Sequence, residues 1–244
     1  MTRSTDRLYQ TDTVPEDFDF NERVIEVFDD MLDRSIPFYQ QVITETAKLL
    51  ASILEPGDTV CDLGCATGST LLHLAQKLAD QNIKFLGIDA SPAMLKKARQ
   101  KAEFYAEHRQ IAFKQQDITD LAIPGTGAFI LNYTLQFIRP VQRPVLIEGL
   151  YSNLRPGGVL ILSEKTILPD KRLNRIFIDI YHDFKREQGY SDLEIARKRE
   201  ALENILIPFS VDENKDLLSR AGFEPAACFF QWFNFSSFVA IKPQ

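Results

Sequence analysis

Hydrophobic positions change period along the chain, and each change marks an element. Val24, Val27, Phe28, Met31 and Leu32 recur at i, i+3, i+4, i+7 and i+8, the stripe of an amphipathic helix. Ser35-Ile36-Pro37 interrupts it. A second stripe, Val42, Ile43, Ala47, Leu50 and Leu54, runs to Pro56-Gly57, a stop signal. Short apolar runs then take over. They predict strands over Thr59–Leu63, Lys84–Asp89, Ile111–Gln115, Ala128–Leu131 and Val159–Ser163. Helical patterns fall between them, at Thr70–Leu78, Pro92–Glu107 and Arg143–Leu154. Ser91 is placed to cap the second of these, with Pro92 in its first turn. Strands alternating with helices of this length predict an α/β fold with a mostly parallel, doubly wound sheet.

From Lys165 to about Pro208 the pattern changes to two helical stretches without a strand. Leu173, Phe177, Ile180, Tyr181 and Phe184 share one face of the first. The second opens with Ser191-Asp192-Leu193-Glu194, a capping box in which Ser and Glu satisfy each other's free helix-end donors. This inserted helical unit, about 166–208, is expected to cover a site or to meet a partner subunit. A helix at Val211–Arg220 and two β runs, Ala227–Phe230 and Phe235–Ile241, complete the chain. Residues 1–18 are polar and without period and read as a flexible N-terminal arm, leaving 19–244 as a single domain.

Charge and cysteine content narrow the function. The 244 residues carry a net charge of -6, which disfavours direct binding to nucleic-acid phosphates. Cys61, Cys65 and Cys228 make no disulfide framework, and no second Cys or His pair follows at zinc spacing, so no metal is expected. Nothing resembles a signal peptide or a membrane-spanning run, and a cytoplasmic location is the expectation.

Thr59 to Gly68 carries the candidate chemistry. An apolar strand ends in Asp62, and the loop Gly64-Cys65-Ala66-Thr67-Gly68 leads into a helix. Glycines there let backbone N–H groups approach a ligand. A P-loop would need a lysine after the last glycine, and none follows Gly68. A dinucleotide loop would need a second glycine where Ala66 stands. S-adenosyl-L-methionine, which has no pyrophosphate, suits this register. Asp89, at the end of the second strand, can accept from ribose hydroxyls. Asp117, after the third, can accept from the adenine amino group. Asn132 ends the fourth. Taken singly, each acid is a turn former; four strand ends in succession point to an adenosyl ligand.

The chain resembles the class I adenosylmethionine-dependent methyltransferases and, more closely, the carboxy-S-adenosyl-L-methionine synthase family. The likeness runs from about Phe20 to Lys242. It rests on Phe20–Phe28, Arg34–Tyr39, Asp62-Leu63-Gly64-Cys65, Leu131–Phe137, Leu162–Lys165, Tyr181–Arg186, Gly189-Tyr190-Ser191, Lys198-Arg199, Leu202-Glu203-Asn204 and Gln231–Phe235. The resemblance implies a Rossmann-like, seven-stranded class I methyltransferase fold with an N-terminal helical extension. It implies that S-adenosyl-L-methionine and prephenate give carboxy-S-adenosyl-L-methionine and phenylpyruvate. In that chemistry prephenate releases carbon dioxide and hydroxide, hydroxide deprotonates the sulfonium methyl, and the ylide captures the carbon dioxide. The product then serves a separate tRNA carboxymethyltransferase acting on wobble uridine.

Carried onto matching positions, the family's ligand contacts fall at Tyr39, Gly64, Cys65, Ala66, Asp89, Ala90, Asp117, Ile118, Asn132 and Arg199. Ala66 and Ala90 depart from the polar residues of the family, which leaves backbone contacts there. Arg199 offers a planar two-pronged match to the new carboxylate. A homodimer is implied, with Arg199 able to act from a neighbouring subunit. No general base is named, since hydroxide from the substrate can take that role; His182 and Cys65 read as structural. A plain small-molecule methyltransferase and a non-catalytic adenosyl-ligand binder remain open alternatives on the same fold.

Overall fold

Strands form where the apolar runs fall. In the computed structural model, which describes residues 6, 22–105 and 110–244, these are β1 (Thr59–Leu63), β2 (Lys84–Asp89), β3 (Ile111–Gln115), β4 (Thr126–Asn132), β5 (Leu154–Lys165), β6 (Ala226–Trp232) and β7 (Phe235–Ile241). They make a seven-stranded sheet in the order β3-β2-β1-β4-β5-β7-β6. Only β7 runs against its neighbours. The order reverses between β1 and β4, so a crevice opens above the carboxyl ends of those strands, where ligands of such sheets bind.

The helices are α1 (Glu22–Ser35), α2 (Tyr39–Ile53), α3 (Ser69–Lys77), α4 (Pro92–Tyr105), α5 (Arg143–Asn153), α6 (Lys171–Glu187), α7 (Asp192–Leu202) and α8 (Val211–Arg220). Central strands are buried on both faces, and alternate residues feed two cores. On one face Val60, Ile130 and Ile161 meet Leu50 of α2 and Leu71 and Leu74 of α3. On the other, Cys61, Phe129, Leu131 and Leu160 meet Ile147 and Leu150 of α5 and Leu218 of α8. No helix among the described residues is long and apolar enough to cross a membrane.

β1, β2, β3, β7 and α8 lie where the pattern predicts. β5 begins earlier, at Leu154, because Thr126 pairs with Leu154 before the register shifts around the Pro156-Gly157-Gly158 turn. Predicted helix end Glu107 and most of the predicted arm, 1–18, lie outside the described residues. Asp6 is the exception: it is buried, and its carboxylate accepts from Tyr190 Oη at 2.6 Å.

α6 differs most from expectation. Its apolar stripe does not face the core squarely. Leu173 is 48% exposed, while Phe177 and Phe184 stack on Phe233 and Trp232 at ring distances of 5.0 and 5.6 Å. Asn174, Ile178, Tyr181, His182 and Lys185, a second i, i+4, i+7, i+8, i+11 stripe, instead line a cavity. α6 therefore serves as a wall of that cavity, and only Tyr181 and Lys185 on it are buried.

Candidate functional site

The glycine loop turns because its backbone must. Gly64 and Gly68 have φ of 73° and 74°, and Ala66 joins them at 46°. A Cβ on Gly64 would stand 2.6 Å from Thr134 Cγ2, so this position also needs the missing side chain. Gly64 and Cys65 N–H groups donate to Ile88 O at 2.8 and 3.0 Å. From outside, Thr67 and Ser69 hydroxyls donate to Asp29 Oδ1 of α1 at 2.6 and 2.8 Å, and Lys101 Nζ of α4 reaches Asp29 Oδ2 at 2.6 Å. Burial alone would push the Asp29 carboxyl up, but the Lys101 ammonium and the two hydroxyls outweigh it and hold it below its ordinary value. The N-terminal helix is thus tied to the loop.

Beneath the loop lies a cavity of about 710 Å³, bounded by the ends of β1, β2, β4 and β5, by α1, and by α6 and α7. Its sheet side is acidic and polar. Asp62 is 2% exposed, and its Oδ2 has no hydrogen-bond partner. Burial, then the charge of Asp89, push its pKa up to about 7. Asp89 accepts from Ala66 N–H through Oδ2 and from Ser91 N–H through Oδ1, both at 2.8 Å. Each of those oxygens keeps a second lone pair for a ligand hydroxyl. Tyr39 Oη and Asn132 Nδ2 meet on one atom, Thr70 Oγ1, at 3.2 and 3.1 Å. Tyr133, next to Asn132, lines the same wall, and its buried hydroxyl has no partner.

The helical side is cationic. Lys165 at the end of β5, Lys185 on α6, and Lys198 and Arg199 on α7 all line the cavity. Lys165 and Lys185 place their ammonium groups 5.1 and 4.7 Å from the centre of the Tyr181 ring. Lys198 Nζ donates to Ser35 Oγ at 2.9 Å. Burial lowers the pKa of Lys165 and of Lys198 to about 8, and that of Lys185 well below its ordinary value. His182 stands among them and is depressed by burial and by its cationic neighbours.

Of the ten residues singled out from sequence, Tyr39, Gly64, Cys65, Ala66, Asp89, Asn132 and Arg199 share the cavity wall. Ala90, Asp117 and Ile118 lie outside it. Asp117 is exposed, and its Oδ1 accepts from the Thr119 N–H and hydroxyl at 2.9 and 2.8 Å, an Asx turn. Ile118 packs into the core beside Ile88. Sequence reasoning missed the three lysines and passed over Asp62 as a contact. A buried, unpartnered carboxylate is a signal that only burial reveals. The group implied by the loop fits what is present: the orphaned Asp62 oxygen suits an ammonium, and the Asp89 lone pairs suit a ribose diol.

Comparison with known proteins bears on this geometry. A Methyltransferase domain family model matches residues 60–158. The carboxy-S-adenosyl-L-methionine synthase of Desulfotalea psychrophila is 59% identical over 244 residues, covering all of both chains. The chain belongs to the carboxy-S-adenosyl-L-methionine synthase family. Another member of that family, from Campylobacter fetus, is 45% identical over 94% of this chain and 96% of its own. Among solved structures, human N-acetylserotonin methyltransferase in complex with SAM superposes with a TM-score of 0.60 at 18% identity, over 91% of this chain and 55% of that one. Magnesium protoporphyrin IX methyltransferase from Synechocystis, with bound SAM, gives 0.58 at 21% identity, over 92% and 86%. These two likenesses show the fold: a Rossmann-like class I methyltransferase fold, as expected. Membership of the synthase family carries an adenosylmethionine-dependent activity.

Proposed function

We propose that the protein combines S-adenosyl-L-methionine with prephenate and releases carboxy-S-adenosyl-L-methionine and phenylpyruvate. The observation that carries this reading is the cationic wall. A simple methyl transfer needs alignment of a nucleophile with the sulfonium. It has no use for four buried or rim cations around the acceptor space. A dicarboxylate carboxyl donor and a carboxylated product do.

In this reading the sheet side holds the adenosyl substrate, which supplies the sulfonium methyl. Asp62 accepts from its ammonium, Asp89 takes the ribose hydroxyls, and backbone groups of Gly64, Cys65 and Ala66 follow the chain between them. Thr70 orients Tyr39 and Asn132 against it. Ala90, Asp117 and Ile118 would meet the adenine where it emerges from the cavity. Arg199 pairs with the carboxylate that the reaction adds. The enclosed walls keep released carbon dioxide beside the carbon that captures it and keep bulk water away. No protein base is assigned, because hydroxide leaving prephenate supplies one.

The product is the carboxymethyl donor for a separate tRNA carboxymethyltransferase that modifies wobble uridine. The protein itself, net acidic, is proposed to act as a cytoplasmic homodimer without touching nucleic acid or membrane. Mass spectrometry of reactions containing adenosylmethionine and prephenate tests the proposal. The expected result is an adenosylmethionine species heavier by one carbon dioxide, formed together with phenylpyruvate. Prephenate left unconsumed by an adenosylmethionine-loaded enzyme would sink it.

A further inference from the structure

Four lysines in this molecule hold an oxygen with the ammonium group. Lys48 pairs with Glu45 at 2.8 Å and Lys101 with Asp29 at 2.6 Å. Lys242 donates to Leu154 O at 2.7 Å and Tyr151 O at 2.9 Å, and Lys198 to Ser35 Oγ at 2.9 Å. Lys165 and Lys185 line the cavity and do not. Among the described residues neither ammonium has a carboxylate or hydrogen-bond partner, and each is set against the ring of Tyr181. That ring is itself fixed, since Tyr181 Oη donates to Ser35 O at 2.9 Å.

Two cations gathered against one aromatic ring repel, and burial strips them of water. The ring quadrupole offsets only part of that. The acid whose charge reaches Lys185 is Asp6, but its carboxylate accepts from Tyr190 Oη, and Arg34 Nη1 donates to its backbone carbonyl. Burial draws the pKa of Lys165 down to about 8. Lys198, also nearby, adds to the positive field on Lys185. Both lysines line the cavity, so an anion that enters it can meet both ammonium groups.

We propose that Lys165 and Lys185, against Tyr181, form an anion subsite for the 2-oxo-acid carboxylate that stays with the carboxyl donor. This rests on the prephenate reading above and divides its two carboxylates between two places. Arg199, on α7, serves the carboxyl group that moves to the sulfonium carbon. The lysine pair serves the carboxylate that does not move, and Tyr181 gives the adjoining ring a flat apolar neighbour. Specificity follows. A neutral donor leaves two buried ammonium groups uncompensated, so a donor lacking the 2-oxo carboxylate is refused.

Calorimetric titration of phenylpyruvate into the full-length protein saturated with adenosylmethionine tests the pair directly. Lys165→Met and Lys185→Met should each weaken phenylpyruvate binding roughly tenfold to a hundredfold, the loss of one charge-assisted hydrogen bond. Adenosylmethionine affinity should stay within about twofold, showing that the fold of the site survives. A double variant that binds phenylpyruvate as tightly as wild type would overturn the proposal. A second measurement needs no variant: titration of the methyl ester of phenylpyruvate, which lacks the carboxylate charge, into the same wild-type protein. The ester should bind at least about tenfold more weakly than phenylpyruvate, and equal affinity would also overturn the subsite. If wild type binds phenylpyruvate and discriminates against the ester yet makes no carboxylated product, the synthase reading falls and the subsite stands.

Discussion

The two walls of the cavity hold buried charge of opposite sign, and they are built differently. On the sheet wall, Asp62 and Asp89 sit at strand ends whose positions are fixed by backbone pairing across β1, β2 and β4. On the helical wall, Lys185, Lys198 and Arg199 come from α6 and α7, held by side-chain packing and by caps such as the Ser191–Glu194 box. Burial pushes the acids up and the lysines down, in each case toward the neutral form. Both walls therefore carry an electrostatic debt that a ligand of opposite charge relieves. The sheet wall faces the cationic partner and the helical wall the anionic one.

Removing a sheet-wall charge gives the largest expected effect. Asp62→Ala should weaken adenosylmethionine binding about a hundredfold by calorimetry, the value of a buried charge-assisted contact. Phenylpyruvate binding should be little changed. Equal losses of both ligands would erase the division between walls. Arg199→Ala comes next. It should cost roughly tenfold or more in affinity for carboxy-S-adenosyl-L-methionine and leave that for adenosylmethionine nearly unaltered. Because Arg199 is exposed, part of its pairing energy is screened.

The walls should also titrate in opposite senses. Asp62, raised to about 7, is protonated below that value, so adenosylmethionine affinity should climb as pH rises through about 7. Lys165, lowered to about 8, loses its proton above that value, so phenylpyruvate affinity should fall as pH rises through about 8. Their product is a bell-shaped kcat/KM profile. Two limbs that move the same way would break the comparison. Asp62→Asn should abolish the acid limb alone.

The smallest effect sharpens the sheet wall. Thr70→Val removes the hydroxyl on which Tyr39 and Asn132 converge. Adenosylmethionine affinity should drop about fivefold, near the net worth of one neutral hydrogen bond. No change would mean that Tyr39 and Asn132 hold their places through packing alone.

How far these walls could be read in advance follows the same division. β1, β2 and β3 end where the apolar runs end, and their ends deliver the glycine loop and Asp89 to one crevice. The capping box at Ser191 was equally legible, because both partners lie within four residues. A matching box at Ser210 and Glu213 went unread before α8. On α6 the apolar residues drew attention to one stripe, whereas the cavity takes the neighbouring one, with His182 and Lys185. Asp117 is a candidate ligand group by sequence, and only the structure shows its Oδ1 accepting from Thr119 in a turn. β3 is an edge strand, so its end is open to solvent.

Sequence by itself determined the alternation of strands and helices, the register of the loop and the acids that follow the strands, because period and turn chemistry act within a few residues. Tertiary structure alone decided that Asp62 would be orphaned, that Thr70 would join Tyr39 to Asn132, and that Lys165 and Lys185 would meet on Tyr181. Those facts depend on burial and on contacts between residues far apart in the chain. A lysine in a sequence is most often solvated; its burial against one ring is written only in the packing of α6 over the sheet.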